Sequence, residues 1–194
     1  MIGDCTAIIL AGGDSRRMGS DKANLVLDGQ TLLQRAVAAM SAVFPEVIVS
    51  VRQPRPGIGV PQVCDERMIG GPLAGVNAGL EHIGTPWSFV VACDMPFMTP
   101  AVIRLLAGCR PTFQAVVPVV QGQPQALSAF YARSCLGPIR AHLAHGGKNS
   151  LRAVFGQLRI RYVDEKELSE ADPGLRSFFD LDTPQDAAIA LKRF

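Results

Sequence analysis

The sequence lacks the features that mark several large classes of protein. None of its apolar runs approaches the ~20 residues that a membrane-spanning helix needs. The net charge is only +2, from 19 basic and 17 acidic residues, whereas nucleic-acid-binding proteins usually carry a clear basic excess. No basic segment leads into an apolar core at the N-terminus, so no signal peptide is predicted. We therefore expect a soluble, cytoplasmic protein that binds neither membranes nor nucleic acid.

Cysteine and histidine are also sparse, and several nucleotide-binding motifs are missing. The five cysteines form no C-x-x-C pair and are odd in number, which argues against a zinc site and favours free thiols in a reducing cytosol. His82, His142 and His145 fall on predicted helices or near their ends, without ligand-like partners. Neither G-x-x-x-x-G-K-[ST] nor G-x-G-x-x-G occurs, which argues against a P-loop hydrolase and an NAD-binding module.

What is present is a regular alternation of strand-like and helix-like segments. Apolar runs predict strands at 6–10, 46–51, 60–64, 87–93, 115–120, 126–131 and 158–163. Helices are predicted at 31–40, 73–83, from 99 onward, at 133–144, at 150–155 and at 183–192. Thr31 with Gln34, and Thr99 with Pro100, are typical helix starts. The alternation predicts one α/β domain over residues 1–194, a three-layer α/β/α sandwich with a Rossmann-like, mostly parallel sheet.

Ligands of open α/β sheets bind at the carboxyl ends of strands, close to a change in strand order. Four predicted strands end at Leu10, Val51, Cys64 and Cys93. The residues that follow these four ends are therefore the candidates for a functional site.

A glycine-rich, basic segment follows the first of these ends. Gly12 and Gly13 allow the backbone to approach a ligand closely, and successive amides there can bind phosphate oxygens. The same segment supplies positive charge from Arg16, Arg17 and Lys22. A plain strand-to-helix turn is the alternative, but three basic side chains so close together favour a phosphate site.

An acidic residue, Asp94, follows the most apolar strand and precedes Met95-Pro96. Mg²⁺ prefers one or two carboxylates together with substrate phosphates and water, so Asp94 is the candidate metal ligand. The alternative is that Asp94 only caps a turn before Thr99.

Two further acidic segments have weaker signals. Asp65 follows the strand that ends at Cys64, and residues 70–75 are rich in glycine and lead into a helix whose N-terminal amides are expected to face the site. Asp180 and Asp182 lie beside Thr183-Pro184. Each segment is also explained by a loop and an ordinary helix start.

Residues 10–22, Leu-Ala-Gly-Gly-Asp-Ser-Arg-Arg-Met-Gly-Ser-Asp-Lys, resemble the L-A-G-G-x-S-x-R-M-G-x-D-K signature of the molybdenum cofactor guanylyltransferases. Further matching segments follow in the same order at 71–75, 93–97, 123–124 and 182–184. The resemblance therefore spans nearly the whole chain.

This resemblance implies a fold of the nucleotide-diphospho-sugar transferase type and a magnesium-dependent enzyme. Its substrates would be GTP and molybdenum-molybdopterin, its products a guanine dinucleotide cofactor and pyrophosphate, and its further partners molybdoenzyme maturation proteins. The nucleotide contacts that it implies are Leu10, Ala11, Gly12, Gly13, Lys22, Ser50, Asp65 and Asp94. The implied catalytic residues are Arg17, Lys22 and Asp94, and the implied metal ligands are Asp94 and Asp182.

Three positions bear on nucleotide selectivity. Ser50 stands where relatives often have asparagine. Asp180 and Asp182 stand where relatives often have two asparagines, and these aspartates resemble those of the cytidylyl relatives. Gly12 favours guanine, since cytidylyl relatives usually have alanine there. A cytidylyltransferase, a sugar-phosphate nucleotidyltransferase and a non-catalytic cofactor chaperone for molybdoenzymes remain as alternatives.

The expected reaction is in-line attack by the terminal phosphate of the pterin on the α-phosphate of GTP. With its second pKa near ~6, a phosphate monoester is already largely a dianion at neutral pH and needs no general base. Catalysis would then rest on positioning and on neutralising phosphate charge.

Overall fold

The computed structural model describes residues 1–12, 21–64, 70–146, 149–181 and 186, and in these residues strands and helices alternate as predicted. The strands are β1 (Cys5–Leu10), β2 (Val26–Leu27), β3 (Gln30–Thr31), β4 (Glu46–Val51), β5 (Gln62–Cys64), β6 (Trp87–Ala92), β7 (Ala115–Val120), β8 (Gln123–Pro124), β9 (Ser128–Ala132) and β10 (Ile160–Val163). The α-helices are α1 (Leu32–Ser41), α2 (Pro72–His82), α3 (Pro100–Gly108), α4 (Leu136–Ala144) and α5 (Glu165–Ala171). Short 3₁₀-helices cover Lys22–Asn24, Arg133–Cys135, Leu151–Gln157 and Arg176–Phe178.

The large sheet has the strand order β10-β7-β9-β6-β1-β4-β5, with β8 paired to β7. Strands β5, β4, β1 and β6 run parallel, as do β7 and β10. From β1 the chain proceeds outward through β4 and β5, and then returns to place β6 on the other side of β1. The strand order therefore reverses between β1 and β6, which is where ligands of such sheets bind.

One strand, β9, departs from the parallel arrangement, because it is antiparallel to both β6 and β7. Only residues 121–127 separate β7 from β9. A parallel crossover needs a dozen or more residues, so a connection of this length can only reverse the direction of the chain.

Helices cover both faces of the sheet, which confirms the three-layer sandwich. Neighbouring strand residues point to opposite faces, so Ile9 belongs to the core beneath α1 and α3, and Ile8 to the core beneath α2 and α4. On the α1 side, the rings of Phe44, Phe89 and Phe130 pack together, with centroids 4.8 to 6.3 Å apart.

Local sequence signals explain several element boundaries. Thr31 and Gln34 form the predicted capping box of α1, and the Thr99 side chain caps α3 at Val102 N. The helix predicted at 133–144 begins as a 3₁₀ turn and becomes α4 at Leu136, while the helix predicted at 150–155 is the 3₁₀-helix Leu151–Gln157. The β2–β3 hairpin and α5 were not predicted. No helix in the described residues is long and apolar enough to cross a membrane.

Candidate active site

A cleft of about 590 Å³ lies at the carboxyl ends of β1, β4 and β6, where the strand order reverses. Every predicted nucleotide-binding residue that the structure describes lines this cleft: Leu10, Ala11, Gly12, Lys22, Ser50 and Asp94. Four predicted site residues, Gly13, Arg17, Asp65 and Asp182, lie outside the described residues.

The backbone after β1 is held between its two neighbouring strands. Ala11 N donates to Ser50 O at 2.9 Å, and Cys93 N donates to Leu10 O at 3.1 Å. A Cβ atom on Gly12 would lie in van der Waals contact with Arg52, 3.4 Å from its backbone nitrogen, so this backbone packs closely against the end of β4. The backbone of Leu10 and Ala11, which was predicted to contact the base, is therefore held in place by hydrogen bonds to the segments on either side of it.

Lys22 and Asp94 meet on the floor of the cleft, where Lys22 Nζ lies 3.2 Å from Asp94 Oδ2. Lys22 opens a 3₁₀-helix that Asp21 caps, with Ala23 N donating to Asp21 Oδ1 at 3.1 Å. Asp94 follows β6, and its carbonyl oxygen accepts a 2.8 Å hydrogen bond from Leu181 N. Both predicted charged groups are thus fixed by backbone contacts, and about a quarter of each side chain is exposed.

The N-terminus of α2 borders the same cleft. Gly71, with a φ of 84°, is its N-cap residue, and Pro72 is its first residue. Glycine has no side chain that could cap a helix, and here Asn149 takes that role, since Ala74 N donates to Asn149 Oδ1 at 3.2 Å. A Cβ atom on Gly71 would lie 2.9 Å from Asn149 Cγ, so the contact requires glycine.

Three cleft residues that carry polar groups were missed in the sequence: Arg52, Asn149 and Asp21. Arg52 directly follows the predicted strand end at Val51, so the rule for strand ends pointed to it. Asp21 was given no role, although the signature matched over residues 10–22 includes it. Asn149 carried no comparable signal, because its role depends on a contact with a distant segment.

The donors present fit a magnesium ion whose coordination is completed by a ligand. Asp94 borders both the main cleft and a neighbouring cavity of about 260 Å³, which Asp180 also lines. In the described part of the chain, no three His, Cys, Asp or Glu side chains are grouped to hold a metal by themselves. Mg²⁺ needs only one or two carboxylates when phosphates and water fill its remaining positions.

The cysteine beside Asp94 is not a nucleophile. Burial, together with the adjacent Asp94 carboxylate, raises the pKa of the Cys93 thiol to about 12. A thiol with this pKa is almost entirely protonated at neutral pH, whereas the thiolate is the reactive form. Covalent catalysis through Cys93 is therefore not expected.

Comparison with known proteins agrees with this geometry. Residues 7–162 match the family described as the MobA-like NTP transferase domain. The chain is 36% identical to a molybdenum cofactor guanylyltransferase of Desulfosudis oleivorans over 185 residues, which cover 93% of this chain and 91% of the relative. It is 32% identical to a protein of the same name from Syntrophotalea carbinolica, over 93% of this chain and 88% of that relative.

Solved structures share the fold. Molybdopterin-guanine dinucleotide biosynthesis protein A from Archaeoglobus fulgidus superposes with a TM-score of 0.85 and 26% identity, covering 96% of this chain and 97% of that one. The 2-C-methyl-D-erythritol 4-phosphate cytidylyltransferase from Thermus thermophilus superposes with a TM-score of 0.70 and 22% identity, over 97% of this chain and 98% of that one. The sheet with its reversal at β1 and β6, the cleft there and the sequence match over residues 7–162 together place this chain in the family of MobA-like NTP transferases.

Proposed function

We propose that this protein transfers GMP from GTP to molybdenum-molybdopterin, forming the molybdopterin guanine dinucleotide cofactor and pyrophosphate. The observation that carries the proposal is the meeting of the Leu10–Gly12 backbone with the Lys22–Asp94 pair in one cleft. The similarity over nearly the full chain to proteins named molybdenum cofactor guanylyltransferase supports the choice of substrates.

GTP would occupy the main cleft. A volume of about 590 Å³ lies in the range of small-molecule sites, which is ~300–1,000 Å³. The main chain of Leu10, Ala11 and Gly12 would contact guanine, and Lys22 would bind the phosphates. Gly13, Ser50 and Asp65 would complete the nucleotide contacts, as the family resemblance implies.

Asp94 is the residue that would hold Mg²⁺, with Asp182 as a second ligand. When bound, the ion would neutralise phosphate charge and so reduce the repulsion between two anionic substrates. The chain's own contribution is to fix the carboxylate, because Leu181 N holds the Asp94 backbone and Lys22 Nζ holds its side chain.

The acceptor would enter through the neighbouring cavity, which shares Asp94 and Leu127 with the main cleft. Arg152 lines this cavity, and its guanidinium donates to Gln123 Oε1 at 3.1 Å and to Pro124 O at 2.8 Å. A cation fixed in this way suits an anionic acceptor such as a terminal phosphate.

The reaction proposed is one displacement at phosphorus. An oxygen of the pterin's terminal phosphate forms a bond to the α-phosphorus of GTP, and the bond from that phosphorus to the bridging oxygen of the β-phosphate breaks. Pyrophosphate leaves with the electron pair, while Arg17 and Lys22 stabilise its charge. The attacking phosphate is already a dianion, so the cleft needs no histidine base.

Thermal unfolding with each nucleotide tests this proposal. We expect GTP with Mg²⁺ to raise the unfolding temperature, and CTP, ATP and UTP to raise it much less. Stabilisation by CTP alone would instead indicate a cytidylyltransferase. Pyrophosphate release on adding the pterin separates an enzyme from a cofactor chaperone, which would bind GTP without turnover.

We also propose a cytoplasmic location and transfer of the product to molybdoenzyme maturation proteins.

A further inference from the structure

Arg55, in the connection between β4 and β5, contacts two cleft residues from different segments. Its Nη2 atom donates to Ala11 O at 3.0 Å and lies 2.5 Å from Asp21 Oδ2. Ala11 belongs to the main chain proposed to contact guanine, and Asp21 directly precedes Lys22. One guanidinium nitrogen therefore joins the two segments to which the proposal assigns the base and the phosphates.

The backbone of Arg55 is itself held by the edge strand of the sheet. Gln62, the first residue of β5, accepts from Arg55 N through Oε1 at 2.8 Å and donates from Nε2 to Arg55 O at 2.7 Å. Gln62 is in register with Val49 of β4, so the sheet fixes its position. Both polar groups of the Gln62 amide are thus used to place one residue of a loop.

Beyond Arg55, the contacts continue to the proposed metal ligand. While Asp21 Oδ2 pairs with Arg55, Asp21 Oδ1 caps the 3₁₀-helix that contains Lys22. Lys22 in turn contacts Asp94. A continuous series of hydrogen bonds and ion pairs therefore runs from β5 to the floor of the cleft.

We propose that Arg55 is a positioning residue for nucleotide binding, which sets the distance between the base-contacting backbone and Lys22. This inference rests on the proposed binding of GTP in the cleft. The Asp21 and Arg55 side chains are 39% and 22% exposed, so the pair should contribute little to global stability. Its effect should appear in GTP affinity, because Lys22 must meet the phosphates while Ala11 meets the base.

The test is titration calorimetry of GTP with Mg²⁺ on five forms: wild type, Arg55→Met, Arg55→Lys, Lys22→Met and the Arg55→Met/Lys22→Met double variant. We expect Arg55→Met to weaken GTP binding about tenfold, since a charge-assisted contact is lost. Arg55→Lys keeps the charge and enough donors for both acceptors, and should stay within about threefold of wild type. In the Lys22→Met background, removing Arg55 should cost about threefold or less, because both residues act on the same contact.

Arg140→Met is the matched control, because Arg140 pairs with Glu81 at 2.9 Å between α4 and α2. It removes an arginine–carboxylate pair, as Arg55→Met does, and should leave GTP affinity unchanged. Arg55→Met should unfold at a temperature close to that of this control. If Arg55→Met unfolds at a lower temperature than the control, Asp21→Asn serves as a second variant. It removes the carboxylate that pairs with Arg55 but keeps Oδ1 as the acceptor that caps the 3₁₀-helix, and it should show the same tenfold loss of GTP affinity.

Three results would overturn the inference. Arg55→Met could bind GTP as tightly as wild type, or Arg55→Lys could lose as much GTP affinity as Arg55→Met. The third is a loss of GTP affinity in the double variant equal to the product of the losses in the two single variants. A wild-type protein that does not bind GTP would instead overturn the proposed function, and this inference with it.

Discussion

The ammonium of Lys22 and the carboxylate of Asp94 lie 3.2 Å apart at the point where the strand order reverses. Lys22 lies in the segment after β1, and Asp94 lies two residues after the end of β6. Parallel neighbours in a sheet end at the same edge, so two residues 72 positions apart in sequence reach one place. The proposed metal ligand and the proposed phosphate ligand are therefore adjacent.

Replacing Asp94 by asparagine should reduce turnover by at least about a hundredfold, because the variant loses the charge that would hold Mg²⁺. The side chain keeps its shape, and the ion pair that it loses is partly exposed, so stability should change by no more than about 1 kcal/mol. Pyrophosphate release and urea unfolding measure the two effects. Wild-type turnover in this variant would refute the metal assignment.

Replacing Lys22 by methionine should weaken GTP binding as well as the rate, since the ammonium is proposed to contact phosphates both before and during the reaction. We expect at least about a tenfold loss of affinity, in line with removal of a charged contact. Equilibrium titration with GTP and Mg²⁺ measures it. An affinity equal to that of wild type would count against a phosphate role for Lys22.

Gly75, on the face of α2 that borders the cleft, has little room for a side chain. An added Cβ would lie 3.0 Å from Ser50 Oγ and 3.2 Å from Leu10 Cδ2, and both of these residues line the cleft. Gly75→Ala should therefore displace them and weaken GTP binding by about fivefold to tenfold, with a stability loss of about 1–3 kcal/mol.

Gly137→Ala is the control for this substitution. Gly137 also lies in a helix, but no atom comes within 4 Å of its added Cβ. This variant should keep its GTP affinity and lose no stability, because alanine favours helix. Equal affinities in the two variants would show that the close approach of α2 has no role in binding.

Stability should fall above pH 9 because of buried thiols. Burial raises the pKa of Cys93 and Cys135 from 9.0 to about 12. Above pH 9 the thiols ionise in the unfolded chain before they ionise in the folded one, so their contribution is complete below pH 9 and is lost as the pH rises toward 12. Each thiol should cost about 1.4 kcal/mol per pH unit in this window.

Lysine and tyrosine also titrate in this range, so Cys135→Ala separates the contribution of one thiol. Chemical unfolding of both proteins between pH 7 and pH 11 should show a gap in stability that is constant up to pH 9 and then narrows. A gap that stays constant to pH 11 would contradict the account.

The sequence predicted the sandwich and several of the residues that line the cleft, because both depend on strand ends. Leu10 and Cys93 were two of the four predicted strand ends. The sheet makes their strands neighbours and brings the nearby residues Gly12 and Asp94 into one cleft. The antiparallel direction of β9 was also predictable. The predicted strands at 115–120 and 126–131 left too few residues between them for a parallel crossover.

Contacts made by loops were not predictable in the same way. Asn149 caps α2 from 75 positions away, and Arg55 reaches back 44 positions to Ala11. Neither contact follows from periodicity or from a local motif, since each depends on how two irregular segments meet. The side chains of Asn149 and Arg55 nevertheless hold two parts of the cleft in place.

A guanylyl-transfer assay tests whether the cleft selects GTP and transfers its GMP. The protein would be supplied with Mg²⁺, molybdenum-loaded molybdopterin and either GTP or CTP, and the dinucleotide and pyrophosphate would be quantified. We expect guanine dinucleotide and pyrophosphate in equal amounts from GTP, with little product from CTP. Preferential use of CTP, or binding of GTP without pyrophosphate release, would contradict the proposed function.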